Sequence, residues 1–148
     1  MTRFFGLFLA LGMLAFPLAS MAADAPAPQR KAKLLFVTTV GLEDIGTLSS
    51  SFRHALAAKK SGHVEDIVWL GYGRSVVALD PTVGAVPDSV RQHAAEAKAG
   101  GVRLVACAQA LKKYDIDPAR LQPKAEVVAN AIDELGRLVA QGYQVINY

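Results

Sequence analysis

Apolar residues in this chain fall into short unbroken blocks, separated by stretches with helical spacing. Lys33-Leu34-Leu35-Phe36-Val37-Thr38-Thr39-Val40 is continuous and rich in β-branched residues, which predicts a strand covered on both faces. Gly41 to Gly46 is a loop, and Thr47 or Ser49 can cap a helix that runs to about Lys60. That helix places Leu48, Phe52, Leu56 and Ala57 on one face, and Ser61-Gly62 ends it. Asp66-Ile67-Val68-Trp69-Leu70 predicts a second buried strand, followed by a tight Gly71-Tyr72-Gly73 loop. Arg74 to Leu79 fits a short helix or a strand equally well. After a loop with Pro81 and Gly84, Pro87 and Asp88 open a helix that Gly100-Gly101 stops.

The rhythm then repeats. Val102 to Ala106 reads as a third strand, Cys107 to Tyr114 as a helix and Asp117 to Leu121 as a helical turn. Ala125 to Val128 is a short fourth strand. Ala129 to Gln141 is the last helix, with Ile132, Leu135, Leu138 and Val139 as its expected core face and Gly142 as its stop. Tyr143 to Asn147 closes the chain as a fifth strand. Continuous strands alternating with helices predict an α/β fold: a five-stranded, mostly parallel sheet with helices on both faces.

The N-terminal segment has a different pattern. A single positive charge, Arg3, precedes an uncharged run from Phe4 to Leu18, and Ala19-Ser20-Met21-Ala22-Ala23 follows. A basic start, an apolar middle and small residues at the expected cut make a secretory signal peptide, cleaved near Ala22 or Ala23. The run is shorter than the ~20 residues of a spanning helix, so no stable membrane anchor is expected after cleavage. The predicted organisation is a leader over residues 1–23, a Pro/Ala spacer over 24–32 and one domain over 33–148. A periplasmic or secreted protein is expected.

Removing the leader changes the charge and hydropathy picture. Of 16 Lys and Arg, only Arg3 is lost, and all 13 acids remain, which leaves a formal charge of +2. No basic face interleaves with aromatics, so nothing points to nucleic acid. The three histidines, His54, His63 and His93, have no metal-ligand spacing, and they read as surface or packing residues. No metal and no cofactor is expected. Glu43-Asp44 reads as solvated loop charge, Trp69 as core, and Ser49-Ser50-Ser51 as a helix start.

Ligands of open α/β sheets bind beyond the carboxyl ends of the strands. The loops leaving those ends hold Thr38, Thr39 and Gly41, then Gly71, Tyr72, Gly73 and Arg74, then Cys107, and all of these but Thr38 are the candidate site residues. Cys107 is the chain's one cysteine, so no internal disulfide can form. Backbone N–H groups at a helix start favour a thiolate, which suits a nucleophile or a sulfur carrier. A cysteine at a strand end also serves as a small core residue, and position alone leaves both readings open.

The stretch Gly101-Val102-Arg103-Leu104-Val105-Ala106-Cys107-Ala108-Gln109-Ala110-Leu111-Lys112 resembles the strand–cysteine–helix segment of the DsrE/DsrF-like family. The ending from Leu135 through Gly142-Tyr143-Gln144-Val145-Ile146 is similar to that family's last helix and strand, and the likeness spans roughly Lys33 to Tyr148. The resemblance implies a flavodoxin-like five-stranded sheet and a homo-oligomer, a trimer or hexamer. In sulfur-relay members the matching cysteine carries a persulfide to a partner, so it implies a sulfur donor or acceptor protein and assigns that role to Cys107. The best-known relay members act in the cytoplasm, whereas the leader predicts export for this chain.

Overall fold

The computed structural model describes residues 31–148, so the expected leader and most of the spacer lie outside the described residues. Five strands form one sheet: β1 (Ala32–Thr38), β2 (Val64–Gly71), β3 (Arg103–Cys107), β4 (Glu126–Val128) and β5 (Tyr143–Asn147). Their order is β4-β3-β2-β1-β5, and every pairing is parallel. β1 ends at Thr38, before the expected Val40, although Thr39 N–H still donates to the Tyr148 carbonyl just past the end of β5.

Four helices connect the strands: α1 (Ile45–Lys60), α2 (Asp88–Ala99), α3 (Ala108–Lys113) and α4 (Ala131–Ala140). The ambiguous segment after β2 is a 3-10 helix over Gly73–Leu79. The cap of α1 is Asp44, not Thr47 or Ser49: its Oδ1 accepts from Thr47 N–H at 2.9 Å. The serines expected at that helix start lie inside it, where Ser51 is buried. Ala55 takes the inward place expected for Ala57, which is exposed. Asn130 caps α4 by accepting from Ile132 N–H at 2.8 Å, one residue after the expected helix start.

Side chains alternate across a strand, so the register partners Phe36 and Trp69 share one face of the sheet and Leu35 and Val68 the other. α1 covers the first face. Phe52 stacks on Trp69 with ring centroids 4.4 Å apart, and Trp69 Nε1 donates to Ser51 Oγ at 2.9 Å. α2 lies beside α1, where Ser49 Oγ and His93 Nδ1 are 2.7 Å apart.

α4 covers the second face, over a polar row that runs across the strands. Tyr143 O–H donates to Asp66, and Arg103 reaches both Asp66 and Glu126. Burial, reinforced by the Asp66 carboxylate, pushes the Tyr143 hydroxyl up to about 12. Leu138 is the apolar anchor of α4, completely buried. Ile132 and Val139, expected in the core, instead face outward.

The Phe52–Trp69 stack joins the longest helix to the centre of the sheet. Phe52→Ala is expected to lower unfolding free energy by about 3–5 kcal/mol, the usual cost of emptying a fully buried aromatic site, read from urea denaturation followed by Trp69 fluorescence.

Candidate functional site

The chemistry-bearing residues gather at the carboxyl ends of the strands. There the loops after β1 and β2 are stitched to each other. The Thr38 carbonyl accepts from Tyr72 N–H at 3.1 Å and from Ser75 Oγ at 2.6 Å, and the Thr39 carbonyl accepts from Arg74 N–H at 3.2 Å. Glu43 completes the stitch: it accepts from Gly41 N–H at 3.0 Å and pairs with Arg74 Nε at 2.8 Å. Both close approaches need glycine. A Cβ on Gly41 would fall 2.7 Å from Arg74 Cβ, and one on Gly71 would fall 2.5 Å from the Trp69 ring.

The expected ligand loop is thus brought together, but its polar groups already serve one another. Arg74 has a carboxylate partner, and the N–H groups of Gly41, Tyr72 and Arg74 all have acceptors. Gly73 turns the chain at φ +61°. Glu43 and Asp44 are therefore structural acceptors, not idle loop charge. The Gly41 N–H, with help from Arg74, holds the Glu43 carboxyl below its ordinary range.

Cys107 occupies the next position along the sheet. It is the last residue of β3 and the N-cap of α3, so its backbone stands where strand turns into helix. Its side chain makes no capping hydrogen bond, and at 5% exposure it is buried in the core. β2 and β3 pair as far as Gly71 with Ala106, which leaves Tyr72 and Cys107 level with each other one step beyond.

Strand order gives this position its meaning. The connection from β3 to β4 passes over the α2 side, where Gln122 and Pro123 meet Pro81, Arg91 and Ala95 around a cleft of about 380 Å³. The connection from β4 runs through α4 on the opposite face. Neighbouring strands whose exits diverge to opposite faces open a crevice between their carboxyl ends. The residues at those ends are Cys107 and Val128, which are register partners. Strand order, invisible in the sequence, puts the third candidate loop at the one pair of neighbouring strands whose exits diverge.

The sequence pattern of the DsrE/DsrF-like family matches residues 32–148, the whole of this sheet with its helices. The chain belongs to the DsrE/DsrF-like family. Solved structures show the same fold. MTH1491 of Methanobacterium thermoautotrophicum, a protein of unknown function, is 19% identical with a TM-score of 0.61, covering 80% of this chain and 100% of its own. BT1422 of Bacteroides thetaiotaomicron, also of unknown function, is 19% identical with a TM-score of 0.62, covering 78% of this chain and 94% of its own. The ychN protein from E. coli is 18% identical with a TM-score of 0.67, covering 79% of this chain and 99% of its own. Comparison with curated proteins gives no match.

Two features of this DsrE-like site were not anticipated. Thr38 is completely buried at the end of β1, and its Oγ1 has no hydrogen-bond partner among the described residues. The C-terminal Tyr148 locks the outer edge: its ring stacks on Phe36, its carbonyl accepts from Thr39 N–H, and its hydroxyl lies 2.6 Å from His54 Nδ1. His54 and His93 are thus engaged by a tyrosine and a serine.

The folded Glu43 carboxyl titrates below its unfolded counterpart. Its contribution to stability is complete above pH 4.5 and is lost as pH falls through the depressed folded value. Glu43→Gln is therefore expected to lower the melting temperature at pH 7 and to flatten its fall below pH 4.5, measured by thermal denaturation across that range.

Proposed function

We propose that this chain is an exported DsrE-type sulfur carrier whose working group is the Cys107 thiol. The observation that carries this reading is the position of that thiol. The only cysteine of the chain stands at the carboxyl end of β3, beside the strand whose exit diverges to the other face. The sulfur-relay character of the family supports the reading. The basic, apolar and small-residue order of residues 1–23 supports export, with cleavage near Ala22 or Ala23 and action in the periplasm or outside the cell. Among the described residues no helix is long and apolar enough to cross a membrane.

The step needs no cofactor. With thiosulfate as donor, the Cys107 thiolate attacks the outer sulfur. The donor S–S bond breaks with its electron pair on the departing sulfite, and a persulfide remains on Cys107. An acceptor thiolate then takes the outer sulfur and restores the Cys107 thiolate. Burial suits such a group, because an exported persulfide left open to solvent would be oxidised. The partners are a sulfur donor and a sulfur acceptor protein.

A second reading, a non-catalytic oligomeric binding protein in which Cys107 only fills the core, is favoured by the 5% exposure of that residue. One experiment separates the two. Incubation with thiosulfate or polysulfide, followed by intact mass measurement, is expected to add the mass of one sulfur atom to the wild type and none to Cys107→Ser. An unmodified wild type, or equal adducts on both proteins, would overturn the carrier reading and leave the binding protein.

A further inference from the structure

Helix α2 carries a cation that has no counter-charge beside it. Arg91 and Ala95 stand one turn apart, so they share one side of that helix. With Pro81, Gln122 and Pro123 they enclose the cleft of about 380 Å³. Its framework is fixed from both sides. Arg91 Nη1 donates to the Asp80 carbonyl at 2.8 Å and Nη2 to the Val83 carbonyl at 2.6 Å. Across the cleft, Gln122 N–H donates to the Leu79 carbonyl at 2.8 Å. Two proline rings and the Ala95 methyl make the walls apolar, since proline has no N–H to offer.

The Arg91 guanidinium is half-buried, yet both of its acceptors are neutral carbonyls. Among the described residues no carboxylate lies within 4.0 Å of it, whereas Arg74, Arg103, Arg120 and Arg137 each have one. Arg53 also lacks one, but it is exposed. Asp80 supplies Arg91 with its carbonyl and turns its carboxylate elsewhere: Oδ1 accepts from Thr82 N–H at 2.9 Å and from Thr82 Oγ1 at 2.8 Å. A guanidinium has five N–H donors, so three remain after the two carbonyls are served. Drawing a cation out of water without a counter-charge is costly, and an anion in the cleft would remove that cost.

The geometry points to a binding site for a small apolar carboxylate in this cleft. The oriented guanidinium fork suits a planar carboxylate, and the proline and alanine walls suit its hydrocarbon part. The volume lies within the roughly 300–1,000 Å³ typical of small-molecule sites. A free phosphate fits less well, because the apolar walls offer its other oxygens no donor. The site involves α2 and the loops before α2 and β4, so it does not rest on the sulfur-carrier reading of Cys107.

The test is a heteronuclear NMR titration of the purified chain with hexanoate, hexanol and inorganic phosphate in turn. Hexanoate is expected to shift the Ala95 and Gln122 amide signals saturably, and the other two are not. Arg91→Gln should weaken hexanoate binding at least about tenfold, as loss of a charged hydrogen-bond partner implies. Arg91 also ties down the Asp80 and Val83 carbonyls, so a second variant acts on space alone. Ala95→Leu, at an exposed helix position, fills the cleft and should abolish the shifts with an unchanged circular dichroism spectrum. Cys107→Ser should bind hexanoate as the wild type does, whatever the fate of the carrier reading. No saturable shift with hexanoate, an equal response to hexanol or to phosphate, or binding that survives both α2 variants would overturn the inference. So would loss of binding in Cys107→Ser.

Discussion

Parallel pairing obliges every connection in this sheet to cross one of its faces, and right-handed crossovers decide which face. β1, β2, β3 and β4 step in one direction across the sheet, so their connections lie on the Trp69 face. The last connection must return past all of them to place β5 beside β1, so α4 lies on the other. One reversal of direction therefore fixes three things. It buries both faces of the central strands, it turns the exits of β3 and β4 to opposite faces, and it leaves α4 alone on its side of the sheet.

The rest of the structure follows from that asymmetry. The Trp69 face has two long helices over it, and there aromatic stacking and the Trp69–Ser51 hydrogen bond make a sealed core. The α4 face has one ten-residue helix, which rests on a polar row of Tyr143, Asp66, Arg103 and Glu126. A single short helix covers that face, and its outer side carries the exposed Ile132 and Val139.

Much of this was legible in the sequence. Continuous apolar blocks marked β1, β2 and β3, because strands buried on both faces carry no alternation to confuse with solvent-facing sheet, while the short edge strands β4 and β5 carry Glu126 and Gln144 and are largely exposed. Cys107 was placed correctly at the strand-to-helix junction by the Gly100-Gly101 stop and the apolar run after it. Strand order was not legible, since the same five strands can be wound in several sequences of crossovers. The direction of α4 was misjudged for a physical reason: periodicity locates an apolar face but not the partner it meets. Glu43 and Asp44 looked like solvated charge because their work, accepting backbone N–H groups within three residues, depends on loop geometry. Family likeness reached the fold, and it was silent on how deeply Cys107 is buried.

The sulfur-carrier reading requires that Cys107, buried at the end of β3, reacts with a small reagent while the fold stays intact. Its most direct measurement is the rate of iodoacetamide labelling of the native protein, set against the rate of global unfolding under the same conditions. The account predicts labelling much faster than unfolding, with the labelled protein still folded. Labelling that only keeps pace with unfolding would contradict it, and would make Cys107 a core residue and nothing more.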